Sequence, residues 1–491
     1  MDTGIFLSQF SVSLFLNLLP IIFLGVFCGI FFCLTAKLKA ESVATFVLPF
    51  TINLPLAAAV GLVLAVYGGG RYAELLLRAG SAHFDLLDTV DRDVLNLSWQ
   101  DTSGKIFFIG QVASLFGFTI SLIVLFYGIP LFAQWNIELE AADLFAVLVC
   151  ILCVAIVVSG KPVGKGLISA LFGLLFCTIG SDPISTYSRW TYGVERLFDG
   201  VPLLLLLLGI LVLSDVLTKV ERFALFEKTK HISRAFIPKW VQIKMTLLPM
   251  IKGSIIGLVV SAIPAASRAA AFISYYDTKR SEQHKQNYLV CAAASQSAQA
   301  SSGVGAMFSL LLFGIPGTQL GVIIFMTFLL HGLQPSSFFG QPNIESISSI
   351  LGGAFITGIV LLGLGFCGMH FFAACSRLDG RILLPIIFVV TISGAYLMHK
   401  SIFDVYLTIL FGIIGYIRNR YKYPLMPFLL AFILGPIIEV NLRHTLAFSE
   451  GDFSILLTNP LALILLITAT LLLLMTFLKQ WSFTRNIKGN M

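Results

Sequence analysis

Charge is what this sequence has least of: Asp, Glu, Lys and Arg make up 12% of its 491 residues, against about a quarter in an average soluble domain. That scarcity excludes an ordinary water-facing surface. No long hydrophilic stretch remains that would fold as a sizeable soluble domain. Catalytic signatures are missing too: there is no G-x-S-x-G, no H-E-x-x-H, no pair of embedded aspartates and no Walker motif. The chain is therefore not read as an enzyme and is expected to need no cofactor. The start, MDTGIFLSQFSVSLFLNLLPIIFLG, lacks a basic n-region and a small-residue cleavage site and is read as mature protein. The 8 cysteines lie almost entirely in apolar stretches. Cys150 and Cys153 spell C-x-x-C inside VLVCILCVAIVV, where helix core is the expected role rather than a redox or metal site.

What is present in abundance is hydrophobicity, at 57% of residues. The apolar residues run continuously, as in VPLLLLLLGILVL (Val201 to Leu213) and NPLALILLITATLLLLMTFL (Asn459 to Leu478). A transmembrane β-barrel would alternate instead. A span needs about 20 apolar residues, and such stretches predict an all-α polytopic membrane protein with about 12 membrane-embedded helices. The net charge of +7 sits in loops and reports orientation rather than a nucleic-acid partner. Residues 219–252 carry Lys219, Arg222, Lys228, Lys230, Arg234, Lys239, Lys244 and Lys252 against Glu221 and Glu227, which marks them cytoplasmic. Lys161 and Lys165, then Arg418, Arg420 and Lys422, then Lys479, Arg485 and Lys488 also read inside. Glu138, Glu140 and Asp143, and the loop with Glu439, Glu450 and Asp452, read outside. The expected organisation is a first transmembrane repeat over 1–218, a basic cytoplasmic linker over 219–252, a second repeat over 253–478 and a cytoplasmic tail over 479–491.

The repeat shows where hydrophobic segments are interrupted. Gly29, Cys33 and Ala36, followed by Lys37-Leu38-Lys39, match Gly257, Ser261 and Pro264, followed by Ala265-Ala266-Ser267, at a constant offset of 228. A weaker match pairs Asp143 through Pro183 with Asp404 through Pro436. The charge assignment makes the matched spans parallel, with an inverted arrangement as the alternative. Broken or re-entrant segments in corresponding places of two halves point to a transporter's binding site.

Beyond hydrophobicity, ordered motifs run along most of the chain. They are Tyr67-Gly68-Gly69, TIGSDPIS (Thr178 to Ser185), RWTYGVERLFDGVPLL (Arg189 to Leu204), LLLFGIPGT (Leu310 to Thr318), LLHGLQPSSFF (Leu329 to Phe339), GAYLMHKSIFDVYLTILFGIIGY (Gly394 to Tyr416) and FILGPIIEVNLRHTL (Phe432 to Leu446). In their order and spacing they resemble the large permease subunit of the tripartite tricarboxylate transporters, the TctA family. The resemblance implies a multi-pass carrier of the bacterial inner (plasma) membrane. It also implies a small four-helix membrane subunit and a periplasmic solute-binding protein as partners, an organic anion such as a tricarboxylate as cargo, and a cation gradient, usually sodium, as drive. The departures are local. The family's G-x-x-x-G-x-x-P-G-x-G signature is eroded in both copies, Gly70-Arg71-Tyr72 stands where small hydroxyl residues are usual, and SQSAQASSGVGA (Ser295 to Ala306) stands where an acidic residue and asparagines are usual.

The residues expected to bind substrate are Lys37, Lys39, Tyr67, Gly68, Gly69, Arg71, Pro264, Ser267, Arg268, Gln296, Gln299, Ser301, Ser302, Gly314, Pro316 and Gly317. A Lys or Arg at the bilayer centre costs roughly 2.5 to 3.5 kcal/mol. Few embedded carboxylates are in view to offset that cost, so an anionic substrate is expected to supply the countercharge. Lys37 and Lys39 have an alternative, snorkelling from a cytoplasmic helix end. A fixed lysine ammonium where glycine would expose carbonyls also makes a coupling cation other than sodium, such as a proton, an open expectation. Gly25-x-x-x-Gly29 and Gly253-x-x-x-Gly257 suit close helix packing. His331, His370 and His399 read as interfacial. The rival to transport is a degenerate relative acting as a membrane sensor or scaffold.

Overall fold

The computed structural model describes residues 12–80, 99–132, 140–159, 162–182, 184–185, 187–221, 238–261, 263–280, 288–333, 344–375, 380 and 382–489. Among these residues the protein is almost entirely helical. Nine helices are long and apolar enough to cross a membrane, and four more are apolar but shorter. In chain order the helices are α1 (Val12–Thr35), α2 (Ala40–Val47), α3 (Leu56–Gly80), α4 (Trp99–Phe132), α5 (Ala141–Val158), α6 (Val163–Cys177), α7 (Leu203–Glu221), α8 (Trp240–Ser261), α9 (Ser267–Arg280), α10 (Tyr288–Phe313), α11 (Gln319–Leu330), α12 (Ile344–Cys367), α13 (Met369–Cys375), α14 (Leu383–His399), α15 (Ile402–Arg420), α16 (Leu425–Phe448) and α17 (Pro460–Gly489). A two-stranded antiparallel ladder, β1 (Gly180–Ser181) with β2 (Ser188–Arg189), pairs Gly180 with Arg189 and Ser181 with Ser188.

The helices fall into two compact units. The larger takes Met1–Trp135, Leu204–Ala262 and Ser267–Ile417; the smaller takes Asn136–Leu203, Ile263–Ala266 and Arg418–Met491. Inside the larger unit, the same module occurs twice. A long helix and a short helix are followed by a second long helix that packs back on the first: α1, α2 and α3, then α8, α9 and α10. Close approach of the long helices depends on glycine. A Cβ on Gly29 would lie 2.2 Å from the Val66 carbonyl oxygen, and one on Gly257 would lie 2.4 Å from that of Ala298. Each module is completed by a helix from the opposite half, since α4 packs on α10 and α8 while α12 packs on α3 and α1.

Hydroxyls fasten the second of these seams. Ser254 and Ser297 share a hydrogen bond of 2.7 Å, Ser301 Oγ donates to the Ser254 carbonyl at 2.7 Å, and Ser121 Oγ donates to Ser301 Oγ at 2.8 Å. In an apolar solvent such bonds hold helices together where hydrophobic burial gives no drive. Helix α7 is buried through Leu204–Val216, and its middle widens to a π-helical turn over Leu208–Leu213.

In the smaller unit α16 packs on α5 and α6, and α17 lies along α5. Two expected boundaries differ. The 219–252 linker is helical at both ends, because α7 runs to Glu221 and α8 begins at Trp240. Lys244 and Lys252 ride on the apolar helix α8, with Lys244 Nζ 5.8 Å from the Trp240 ring centroid. Likewise the 479–491 tail continues α17 to Gly489.

Candidate functional site

The interruption after α1 is a sharp turn. Lys37 holds a left-handed backbone, φ 53°, and Ala265 holds φ 66° at the matching place between α8 and α9. These are corresponding positions of the repeat, and both stand where the family signature has glycine. The turn geometry therefore persists although the residue that adopts it most easily is gone.

What fills the first turn is not what the sequence led us to expect. Helix α2 starts with the backbone amides of Lys39 and Ala40 aimed at carboxylates of this same chain. Lys39 N–H donates to Asp215 Oδ2 at 2.9 Å, Ser42 Oγ donates to the same oxygen at 3.0 Å, and Ala40 N–H donates to Glu74 Oε1 at 2.7 Å. Glu74 also binds Arg71, Nη1 to Oε2 at 2.7 Å, across one turn of α3. Two carboxylates at a helix N-terminus satisfy its free amides and its dipole together. Arg71, expected to take its countercharge from substrate, thus has Glu74 beside it, and α7 contributes Asp215, whose residue is 3% exposed. The Lys39 side chain is exposed and Lys37 is half-buried. The Glu74 contact was legible as an i, i+3 partner of Arg71. Asp215 was not, lying 176 residues from Lys39.

The second turn differs in chemistry. Its Pro264 is buried, and α9 opens on Ser267 and Arg268, whose side chains lie outside the described residues. Facing α8 and α9, α10 carries no charged residue between Tyr288 and Phe313, so it has no counterpart of Arg71 or Glu74. Several residues expected at a site there serve packing: Ser301 ties α10 to α8 and α4, and Ser302 Oγ donates to the Gln299 carbonyl at 3.1 Å. Gln296 is buried and Gln299 half-buried. Tyr67, Gly68 and Gly69 lie in mid-helix on α3; a Cβ on Gly69 would come 2.3 Å from the Val26 carbonyl oxygen, and one on Gly68 2.8 Å from Leu361 Cδ1.

The third break, Gly314, Ile315, Pro316 and Gly317, is buried between α10 and α11. Gly314 has φ 68°, Ser309 Oγ donates to the Ile315 carbonyl at 3.0 Å, and Thr318 caps α11 by accepting the Gly321 amide at 3.1 Å. Two of the three histidines are better connected than expected, while the side chain of His370 lies outside the described residues. His399 Nδ1 lies 2.8 Å from Asp404 Oδ2, and the His331 ring sits between the carbonyl oxygens of Thr327 and Leu54 at 2.8 and 2.9 Å. Asp404 and Asp143, matched in the weaker repeat, both lie in the first turn of an apolar helix and are both buried.

A polar cluster that the sequence did not flag lies in the smaller unit, where three of the ordered motifs meet. Arg189 of β2 pairs with Asp182 and, at 2.8 Å, with Glu439. Arg443 reaches Asp182 at 2.9 Å and Glu439 at 2.6 Å. Asp182 further accepts the amides of Ile184 and Ser185 at 2.9 and 3.3 Å. These partners cover all but 5% of its side chain. The Ile184 amide first, then Ser185 and the two guanidiniums, hold its carboxyl well below the usual range. Each motif had looked like a separate signature, and only the fold brings them together.

Comparison with known proteins agrees with the motif pattern. The tripartite tricarboxylate transporter TctA family model matches residues 19–430. Over 454 residues, 90% of each chain, the sequence is 24% identical to an uncharacterized 52.8 kDa protein in the TAR-I ttuC' 3' region of Agrobacterium vitis. Over 219 residues it is 28% identical to an uncharacterized protein in the TAR-II ttuC' 3' region of the same organism, covering 44% of this chain and 89% of that one. No solved structure matches.

Proposed function

The chain belongs to the tripartite tricarboxylate transporter TctA family, and from that membership we propose that this multi-pass permease subunit imports a small organic anion, a tricarboxylate or related carboxylate, on a cation gradient. The observation that carries the reading is the pair of left-handed turns at Lys37 and Ala265. A scaffold under no demand for transport has no reason to keep a strained backbone at two corresponding positions after losing both glycines. The partners that fit are a small four-helix membrane subunit and a periplasmic solute-binding protein, and the setting that fits is the bacterial inner membrane.

The two turns suggest a division of labour. At the first, Glu74 and Asp215 already take up the α2 amides and Glu74 offsets Arg71, so a substrate carboxylate has little to gain there. At the second, α9 opens on Ser267 and Arg268 opposite an uncharged α10, which makes Arg268 the better anion partner. The first turn bears on the coupling ion, because a glycine there would expose carbonyls to a metal cation and Lys37 brings an ammonium instead. A proton gradient suits that arrangement better than a sodium gradient. The test is the ion dependence of uptake in proteoliposomes with both partner subunits. Proton-driven uptake is expected. Strict sodium dependence in the wild type, or unchanged coupling in a Lys37→Gly/Lys39→Gly variant, would remove this assignment of the ion.

A further inference from the structure

The Asp182 cluster invites a question that helix packing does not answer: why hold so small a ladder so firmly. The β1–β2 ladder has two residue pairs, too few to be stable alone. Four charged side chains from three motifs fix it to α16, and the Ser181 amide adds a bond of 2.7 Å to the Phe198 carbonyl. Just beyond β2, Thr191 is buried, while its neighbours Trp190 and Tyr192 are 59% and 86% exposed. Both neighbours have left-handed backbones, φ 53° and 49°. Strain of this kind, in large aromatic residues turned to the outside by a rigid base, marks a surface kept for contact rather than for stability.

The chemistry around the two rings narrows the partner. Tyr187 is exposed between the two strands, Phe448 at the end of α16 and Phe453 in the loop that follows. The exposed charges of these two segments are Glu195, Asp199, Glu450 and Asp452 against Arg196 alone, among the described residues. Asp452 is kept ionised by the hydroxyl and amide of Ser454, which hold its carboxyl below the usual range. Exposed aromatic residues on segments whose exposed charges are mainly acidic suit a protein carrying basic residues. They suit lipid poorly, because embedded rings would draw carboxylates toward hydrocarbon and anionic headgroups would repel them. The loop charges put this end of the unit outside: Lys165 opens α6 and Arg420 and Lys422 precede α16, while Glu450 and Asp452 follow α16.

We propose that the clamped ladder with Trp190 and Tyr192 is a docking surface on the non-cytoplasmic face for a soluble protein that presents basic residues around apolar sockets. This deepens the transport reading and rests on it, since such a protein is the one that would hand the anion to the permease.

The test places the photo-cross-linker benzoylphenylalanine at Tyr192 in cells producing the full chain, with Leu171 on the apolar face of α6 as control. The expected result is an adduct from position 192, and none from 171, to an exported soluble protein. Purified, that protein binds nanodisc-embedded wild type, weakens with salt, and loses at least ~30-fold in affinity to a Trp190→Ala/Tyr192→Ala variant. The variant must give the wild-type thermal melt, which exposed side chains permit. Adducts to lipid alone, no adduct, or equal binding to wild type and variant would overturn the surface. Carboxylate uptake measured in the same preparations separates the two claims: uptake without this dependence sinks the docking surface only, and no uptake under any pairing sinks the transport reading.

Discussion

Ala265 sits in a backbone region that costs an L-residue about 1–2 kcal/mol, and the matching Lys37 shares it. Replacing Ala265 by glycine is therefore expected to raise stability by about 0.5–1 kcal/mol after glycine's greater unfolded-state entropy is subtracted. Thermal unfolding in detergent would show it. Arg71 and Glu74 make the opposite kind of prediction. Removing one member takes a charge-assisted hydrogen bond from the other, so Arg71→Met or Glu74→Gln alone should cost about 1.5 to 3 kcal/mol, and the double variant less than their sum. A double-mutant cycle checks this, and strict additivity would mean the pair does not act as one. Residue types and local spacing were legible in the sequence, including the Arg71 position and both turns. Partners across the fold were not, because nothing in a linear chain says that Asp215 meets Lys39 or that Asp182 meets Arg443.

Helices declared themselves by apolar length, and their interruptions by Pro264 and the repeat that matches it to Ala36. The ends were harder, as in the basic stretch before Lys252, where lysines on long stems concealed the start of α8. Packing at Gly29 gives a sharp element-scale test: Gly29→Ala brings a methyl against the Val66 carbonyl and should cost about 2 kcal/mol or more by forcing α1 away from α3, read as a lower melting temperature. The ladder yields a pH prediction. A carboxyl depressed in the folded state contributes stability that is fully present above its unfolded value of about 4 and is lost only as pH falls toward the folded value. Fluorescence of Trp190, kept as sole tryptophan, should thus stay constant from about pH 8 to about pH 5. A transition near neutrality would show that the Asp182 clamp is not what fixes the loop.

Across the whole molecule, the two halves complete one another rather than standing side by side. The module of α1, α2 and α3 is closed by α12, and that of α8, α9 and α10 by α4. The offset of 228 residues implied the two modules but not this exchange, which depends on long-range contacts. It ties the helices of each module to a helix from the other half of the chain within the larger unit. The measurement that tests the account most directly is uptake of labelled tricarboxylates and related carboxylates into proteoliposomes holding this chain, its small membrane subunit and a solute-binding protein. The account predicts saturable uptake driven by an imposed cation gradient and abolished by Arg268→Ala. The absence of uptake with every carboxylate and every partner would contradict it and leave a membrane scaffold in its place.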